Sequence, residues 1–218
     1  MKKCTRFFVV IPLLCAMISC QKEIPDIIGA TTGGSGGAGG TGGSNFPYYF
    51  IGTVAGATVK YEADDLNSRY GCGTSQPENS LGTTDYDIYE GTVLMDMLDP
   101  TKNTISVHIL KYFDHEPTAT ERSAMIRVGT YIYGHGDVSP MTTSGATIDY
   151  IDANGDNWFS ETGSQTGSIF NITELVNNTN GTSAKIFKAT FSCKLYSLDG
   201  SRSIQVTNAT IRGKILSP

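Results

Sequence analysis

The sequence predicts an all-β domain, and three features of residues 45–218 support this class. Apolar and polar side chains alternate with a period of two, as in strands that bury one face. Short runs rich in Asp, Asn, Gly and Pro separate these segments, as they do in hairpins. Only 118–127 has a helical pattern, with Pro117 before it and Gly129 after it. We therefore expect an antiparallel β-sandwich of about ten strands, with a closed or partly open calycin-like barrel as the alternative and at most one short helix.

The predicted strands follow in chain order. They are Tyr48–Val54 and Ala57–Tyr61, Thr92–Leu98 and Thr104–Phe113, Gly129–Tyr133, Ile148–Ile151 and Trp158–Ser160, Ser168–Val176, Lys185–Leu198 and Ser203–Leu216. Alternation is clearest in Lys185–Leu198, which indicates a long strand with one solvated face. In the last strand the apolar positions change phase between Val206 and Ile211, which predicts a bulge near Asn208.

Turn residues link these strands into hairpins. Asn154-Gly155 is a strong short hairpin signal, and Asp199-Gly200 joins the last two strands. In the hairpin across residues 99–103, one apolar set is predicted to face another. The two sets are Val93, Met95 and Met97, and Ile105, Val107 and Ile109.

Residues 1–19 form a predicted signal peptide. Basic residues precede the apolar run Phe7–Ile18, which is shorter than the roughly 20 residues that span a bilayer. The sequence Met17-Ile18-Ser19-Cys20 resembles the lipobox of bacterial lipoproteins, although Met17 stands where leucine is more usual. This resemblance implies cleavage before Cys20, lipidation of Cys20 and an outer-membrane anchor. Lys22-Glu23 partly matches the surface-export signal of some Bacteroidota lipoproteins, so the periplasmic face and the cell surface both stay open.

Residues 20–44 form a predicted lipidated N-terminus and flexible linker. Positions 33–44 contain only Gly, Ser, Ala and Thr, which cannot form a core. Such a coil spans roughly 20 Å. Removal of the signal peptide takes 3 of the 16 basic residues and no acidic ones, leaving 13 basic against 21 acidic residues and a formal charge of −8. This balance argues against nucleic-acid binding, so the expected partner is the membrane, reached through the N-terminal lipid.

The predicted β domain also has a family resemblance. Residues 150–215 contain the Asn-Gly turn, Gly167-Ser168-Ile169-Phe170-Asn171-Ile172-Thr173, Ala189-Thr190-Phe191-Ser192 and Val206-Thr207-Asn208. This stretch resembles uncharacterised Bacteroidota lipoprotein domains, although Ala209 stands where such domains often have Gly. Those domains have no assigned activity, so the resemblance transfers no catalytic residue, and we expect no cofactor.

Hard oxygen ligands gather in one hairpin and make it a weak calcium candidate. They are Asp149, Asp152, Asn154, Asp156 and Glu161. The EF-hand spacing fails because Gly155 is the fourth position counted from Asp152 rather than the sixth, and Glu161 precedes the twelfth. A tight turn with acidic flanks explains these residues without a metal, so no metal site is expected.

The remaining candidates are three histidines, two cysteines and two aromatic residues. His108 is expected to face solvent, and His115 and His135 fall in loops, which gives no zinc pattern. Cys72 and Cys193 predict either one disulfide or two free thiols, one of them packed in a strand face. Trp158 and Tyr150 are either core residues or a platform for a sugar ring or a protein.

No nucleophile is paired with a base by spacing, so nothing in the sequence supports an enzyme. We expect a displayed binding module for a glycan or an envelope protein. The alternatives are a structural or accessory component of an envelope complex and, with less support, a hydrolase.

Overall fold

The computed structural model of the protein describes residues 44–65, 68–76, 78–80, 86–134, 144–178 and 184–216. Contacts divide the chain into two units, Met1–Thr41 and Gly42–Pro218, and every described residue belongs to the second. The predictions for the signal peptide, Cys20, the glycine-rich linker through residue 43 and His135 lie outside the described residues.

Twelve strands and one short helix form in this described part of the chain. They are β1 (Tyr48–Val54), β2 (Ala57–Ala63), β3 (Tyr70–Ser75), β4 (Glu78–Ser80), β5 (Tyr86–Asp96), β6 (Thr104–Phe113), α1 (Ala119–Ser123), β7 (Gly129–Tyr131), β8 (Gly145–Ile151), β9 (Asn157–Phe159), β10 (Ile169–Asn177), β11 (Ala184–Tyr196) and β12 (Ser203–Leu216). Strand dominates, so the all-β class is confirmed.

Nine of the strands close into a barrel. Their order is β1, β2, β3, β5, β6, β8, β9, β11 and β12, and β12 then pairs with β1. Neighbouring strands in the barrel are antiparallel, except for the parallel pair of β2 and β3. β10 and β7 extend from β11, and β4 pairs with β5. The barrel alternative is therefore the architecture present, not the favoured sandwich.

The barrel resembles a sandwich in that two sets of strands pack against each other. Ala63 pairs with Tyr70 between β2 and β3, and Tyr196 pairs with Phe159 between β11 and β9. These two junctions each consist of one residue pair, and they join two larger sets of strands. The sets pack across the interior, where a Cβ on Gly213 of β12 would lie 2.3 Å from the Thr92 hydroxyl of β5.

Local patterns predicted several elements well. β1 has the predicted bounds, and the bulge in β12 is confirmed, since Asn208 has a φ of 50° and the β11–β12 register shifts between Phe191 and Cys193. The predicted helix is shorter than expected: α1 ends at Ser123, and Thr118 caps its N-terminus. β3 was not predicted, because its sequence Tyr-Gly-Cys-Gly-Thr-Ser shows no alternation.

The core inside the barrel is aromatic and aliphatic. Phe191 stacks on Phe50 and Phe170, with ring centroids 6.2 and 5.8 Å apart. The predicted phase of β5 is wrong: Leu94 is fully buried opposite Ile105, while Met97 is 59% exposed. Polar residues take the inward positions of β5 because they have partners there, as when Thr92 donates a hydrogen bond to the Gly73 carbonyl at 3.1 Å.

The two ends of the barrel differ. The helix end carries α1, and Arg122 of α1 lies 3.6 Å from the buried carboxylate of Glu90. The turn end carries the turns at residues 55–56, 97–103, 152–156 and 197–202. The described chain starts at Ser44, which hydrogen-bonds Glu62, the neighbour of the β2 residue Ala63 that pairs with Tyr70 of β3. Tyr70 in turn pairs with Asp96 of β5, so the chain enters the domain near the 97–103 turn.

Candidate functional site

A group of polar side chains lies on the outer face of β5, β6 and β8, opposite the barrel core. It consists of Tyr89, His108, Thr147 and Asp149 on these strands and of Glu161 shortly after β9, and we call it the outer polar cluster. His108 of β6 is directly opposite Thr147 of β8, and Asp149 follows two residues later on the same face. His108 and Thr147 are buried, with 3% and 0% of their surface exposed.

His108 pairs with a serine. Its Nε2 lies 2.9 Å from Ser75 Oγ on β3, and its ring meets the edge of Tyr89 with 6.0 Å between centroids. Gly91 makes room for the ring, since a Cβ there would lie 2.8 Å from His108 Cδ2. Burial lowers the pKa of His108 to about 4, so the ring is neutral at pH 7. The prediction that His108 faces solvent is wrong because the outer face of β6 is covered here.

The cluster combines acidic and hydroxyl groups. The Tyr89 hydroxyl lies 3.4 Å from Glu161 Oε1, and burial followed by the charge of Glu161 raises the pKa of Tyr89. Burial raises the pKa of Asp149 to about 6. Thr147 Oγ1, Asp149 Oδ1 and His108 Nδ1 are shielded from solvent and have no hydrogen-bond partner in the described part of the chain. Buried polar atoms of this kind cost free energy unless water or a ligand satisfies them.

The barrel interior holds side chains where lipid-binding barrels hold a ligand. A shallow pocket of about 250 Å³, which includes open solvent, lies at the helix end between Arg122, Ile126 and Ile215. Its enclosed part has room for roughly one water molecule. This pocket does not suit an organic ligand.

The aromatic platform expected at Trp158 and Tyr150 does not form. Their side chains are 6% and 5% exposed, and both belong to the core. The Tyr150 hydroxyl lies 3.3 Å from that of Tyr61, and Trp158 Nε1 donates to Asp152 Oδ2 at 3.1 Å. Arg202 covers the Trp158 ring at 5.0 Å, so neither aromatic face is open to a sugar.

The acidic hairpin is a turn held by its own side chains. Asp152 Oδ1 accepts hydrogen bonds from the backbone N–H groups of Asn154 and Asp156, at 2.8 and 3.0 Å. Asp156 pairs with Arg202 at 3.0 Å. These contacts occupy the oxygens that a cation at Asp152 and Asp156 would need. The weak calcium candidate therefore has a structural explanation in this turn.

Cys72 and Cys193 are free thiols, so the disulfide allowed by the sequence is absent. The Cys72 sulfur accepts a hydrogen bond from the Lys214 N–H at 3.4 Å, whereas Cys193 pairs with Val206. Eight residues of β12 separate these two contacts, roughly 26 Å at the rise of a strand. A disulfide needs Cα atoms closer than about 7 Å. Burial raises the pKa of Cys193 to about 12, which makes it unreactive.

His115 belongs to an exposed network at the start of α1. Its two ring nitrogens lie 2.8 Å from Asp114 Oδ1 and 3.1 Å from Glu121 Oε1, and these hydrogen bonds raise its pKa. Among the described residues, no three His, Cys, Asp or Glu side chains come together as a metal-chelating group.

The turn end exposes aliphatic side chains. Leu98 and Leu198 are 82% and 80% exposed, and each lies beside a turn between two long strands. The turns contact one another: the Asn103 N–H donates to the Asp152 carbonyl at 3.3 Å. Exposed leucines on a rigid rim suit contact with another macromolecule better than with water.

Neither the outer polar cluster nor the exposed leucines of the turn end were predicted from the sequence. His108 lies between Val107 and Ile109, and Thr147 and Asp149 flank Ile148, which looks like ordinary alternation with a solvated polar face. The high content of β-branched residues next to these polar positions was the available signal of burial on both faces. Leu98 and Leu198 were counted as strand ends, although each directly precedes an Asp that starts a turn.

No protein-family model, curated protein sequence or solved structure matches this chain. No helix in the described residues has the length and apolar character needed to cross a membrane.

Proposed function

We propose that the chain is a bacterial lipoprotein, anchored in the outer membrane by lipid on Cys20, and that its barrel is a displayed, non-enzymatic binding module for another envelope protein. The lipobox-like sequence supports the anchor, and a linker of roughly 20 Å would hold the barrel clear of the membrane. Several acyl chains hold a protein almost permanently, since each buried methylene contributes about 0.8 kcal/mol.

The observation that carries the binding proposal is the exposure of Leu98 and Leu198 at the turn end. Aliphatic side chains on a rim suit a protein surface. A glycan would need an open aromatic face, which Trp158 and Tyr150 do not offer.

The anchor is tested with the full chain in a bacterium that processes lipoproteins. Cys20→Ala should abolish incorporation of labelled fatty acid and leave a precursor that keeps residues 1–19, because the acceptor thiol is gone. Cys15→Ala is the matched control and should be labelled and processed normally. Soluble, unlabelled wild-type protein would contradict the anchor, and sucrose-gradient fractionation tests the outer-membrane address.

The binding surface is tested by photo-crosslinking at single positions in intact cells. A crosslinker at Leu98 or Leu198 should capture one envelope protein, and the double variant Leu98→Ser/Leu198→Ser should reduce capture at least tenfold. The control positions are Ile132 and Ile169, which are 65% and 60% exposed on the β7–β10 side. Equal capture at all four positions would contradict a turn-end surface, and capture only at Ile132 and Ile169 would favour the accessory-component alternative.

A hydrolase is the second candidate, favoured by the contact between Ser75 and His108. The described residues place no carboxylate within hydrogen-bond distance of His108 Nδ1, so the pair is not a triad. Turnover of a generic ester substrate, lost in Ser75→Ala and kept in Ser123→Ala, would establish the hydrolase and overturn the non-enzymatic proposal.

A further inference from the structure

Two oxygens of the outer polar cluster, on Thr147 and Asp149, are buried without a hydrogen-bond partner in the described part of the chain. Thr147 is fully buried and its hydroxyl has no hydrogen-bond partner in the described part of the chain. Asp149 Oδ1, two residues further along the same face of β8, is also shielded and without a partner there. Native proteins rarely leave such buried oxygens unsatisfied, which indicates that a water molecule or a ligand satisfies them.

The backbone brings a second carboxylate to the same place. Asp149 pairs with Phe159 of β9, and the Ser160 N–H donates to the Ile148 carbonyl at 2.9 Å. Glu161 follows directly and so lies beside the Thr147 end of β8. The Tyr89 hydroxyl, 3.4 Å from Glu161 Oε1, adds a fourth oxygen group.

The charge of the site is negative. No Lys or Arg in the described part of the chain forms an ion pair with Asp149, and the neighbouring His108 ring is neutral. The shielded carboxylate of Asp149 attracts a cation strongly because the local dielectric is low. Carboxylate and hydroxyl oxygens are hard ligands, which suit Ca²⁺ or Mg²⁺ better than a transition metal.

We propose that the outer polar cluster is a site for a hard divalent cation, with Asp149 Oδ1 and Thr147 Oγ1 as direct ligands and Glu161 and Tyr89 on its other side. The described residues provide no set of three His, Cys, Asp or Glu ligands, so the ion keeps part of its water shell. The bound ion would cross-link β8 to the segment after β9, beside the single-pair junction of β9 and β11.

The test uses residues 42–218, which form one compact unit. Thermal unfolding is measured at pH 7.5 after EDTA treatment and dialysis, with CaCl₂ or MgCl₂ added at constant ionic strength, and Kd is measured by calorimetry. The wild type should bind at least one of the two ions and melt at a higher temperature. Asp149→Asn should weaken binding at least tenfold, whereas Asp114→Asn, an exposed loop carboxylate, should bind as the wild type does.

Thr147→Val separates a ligand role from a folding role. Valine keeps the shape of threonine and removes the oxygen, so the variant should fold and yet bind the ion several-fold more weakly. The proposal is overturned if neither ion binds the wild type. It is also overturned if both Asp149→Asn and Thr147→Val bind with the wild-type Kd.

Discussion

With divalent cations removed by EDTA, Asp149→Asn should make the barrel lose stability as the pH falls from 6.5 to 4. Burial lowers the pKa of His108 from 6.5 to about 4, so the folded state resists protonation of the ring that the unfolded state accepts. A depressed pKa contributes stability above the unfolded value, and this contribution is lost as the pH falls through the window. The loss is roughly 3 kcal/mol, at about 1.4 kcal/mol per pKa unit.

His108→Gln should show the opposite slope. Burial raises the pKa of Asp149 from 3.8 to about 6, so the folded state favours the neutral acid. The stability from this group is fully present below pH 3.8 and is lost as the pH rises to 6, again by roughly 3 kcal/mol. In the wild type the contributions of His108 and Asp149 to the pH dependence of stability nearly cancel. The other groups that face them are Tyr89 and Glu161, and both variants keep these.

The measurement is urea unfolding of residues 42–218 at several pH values between 4 and 7, with the wild type as reference. The difference in unfolding free energy between each variant and the wild type removes the contribution of every other titrating group. Differences that do not change with pH would contradict the assigned environments of His108 and Asp149.

Gly91→Ala should destabilise the barrel by about 3 kcal/mol or more. A Cβ at Gly91 would lie 2.0 Å from the Val107 carbonyl oxygen and 2.7 Å from His108 Cα. Both are backbone atoms of a paired strand, so they cannot move away as a flexible side chain could.

Gly73→Ala is the matched control on the neighbouring strand β3. Its Cβ would meet no atom closer than Val93 Cγ1 at 3.4 Å, which is ordinary contact. The denaturation midpoint should therefore change little. Equal destabilisation by the two variants would mean that the effect comes from the lost backbone freedom of glycine and not from a clash between the new Cβ and the neighbouring strand.

Elements whose pattern depends on one local face were predictable from the sequence. β11 alternates over its whole length, and the phase change in β12 located the bulge at Asn208 before any partner strand was known. β5 was predicted in the wrong phase, because its inward positions include Glu90 and Thr92, whose partners come from α1 and β3. A polar residue at an inward position cannot be recognised without knowing its distant partner.

Barrel closure and the outer polar cluster could not be predicted from local sequence patterns for the same reason. Closure depends on two single residue pairs, and a change at Ala63 or Tyr196 would leave every strand pattern unchanged. The burial of His108 depends on what covers the outer face of β6, which alternation within β6 does not report. Whether Cys72 and Cys193 form a disulfide could not be predicted from the sequence, because the answer depends on the distance along β12 between Lys214 and Val206. Only the strand register supplies that distance.

The pairing of β12 with β1 also bears on how the chain folds as it is made. Tyr49 of β1 pairs with Arg212 of β12, so β1 cannot form this pairing until residue 212 has been synthesised. Until then β1 and β11 each have an unpaired edge, and unpaired edges of partly folded sheets aggregate. Non-local pairing of this kind is slow. While β12 is still inside the ribosome, the sheet therefore stays open, with β1 and β11 as unpaired edges.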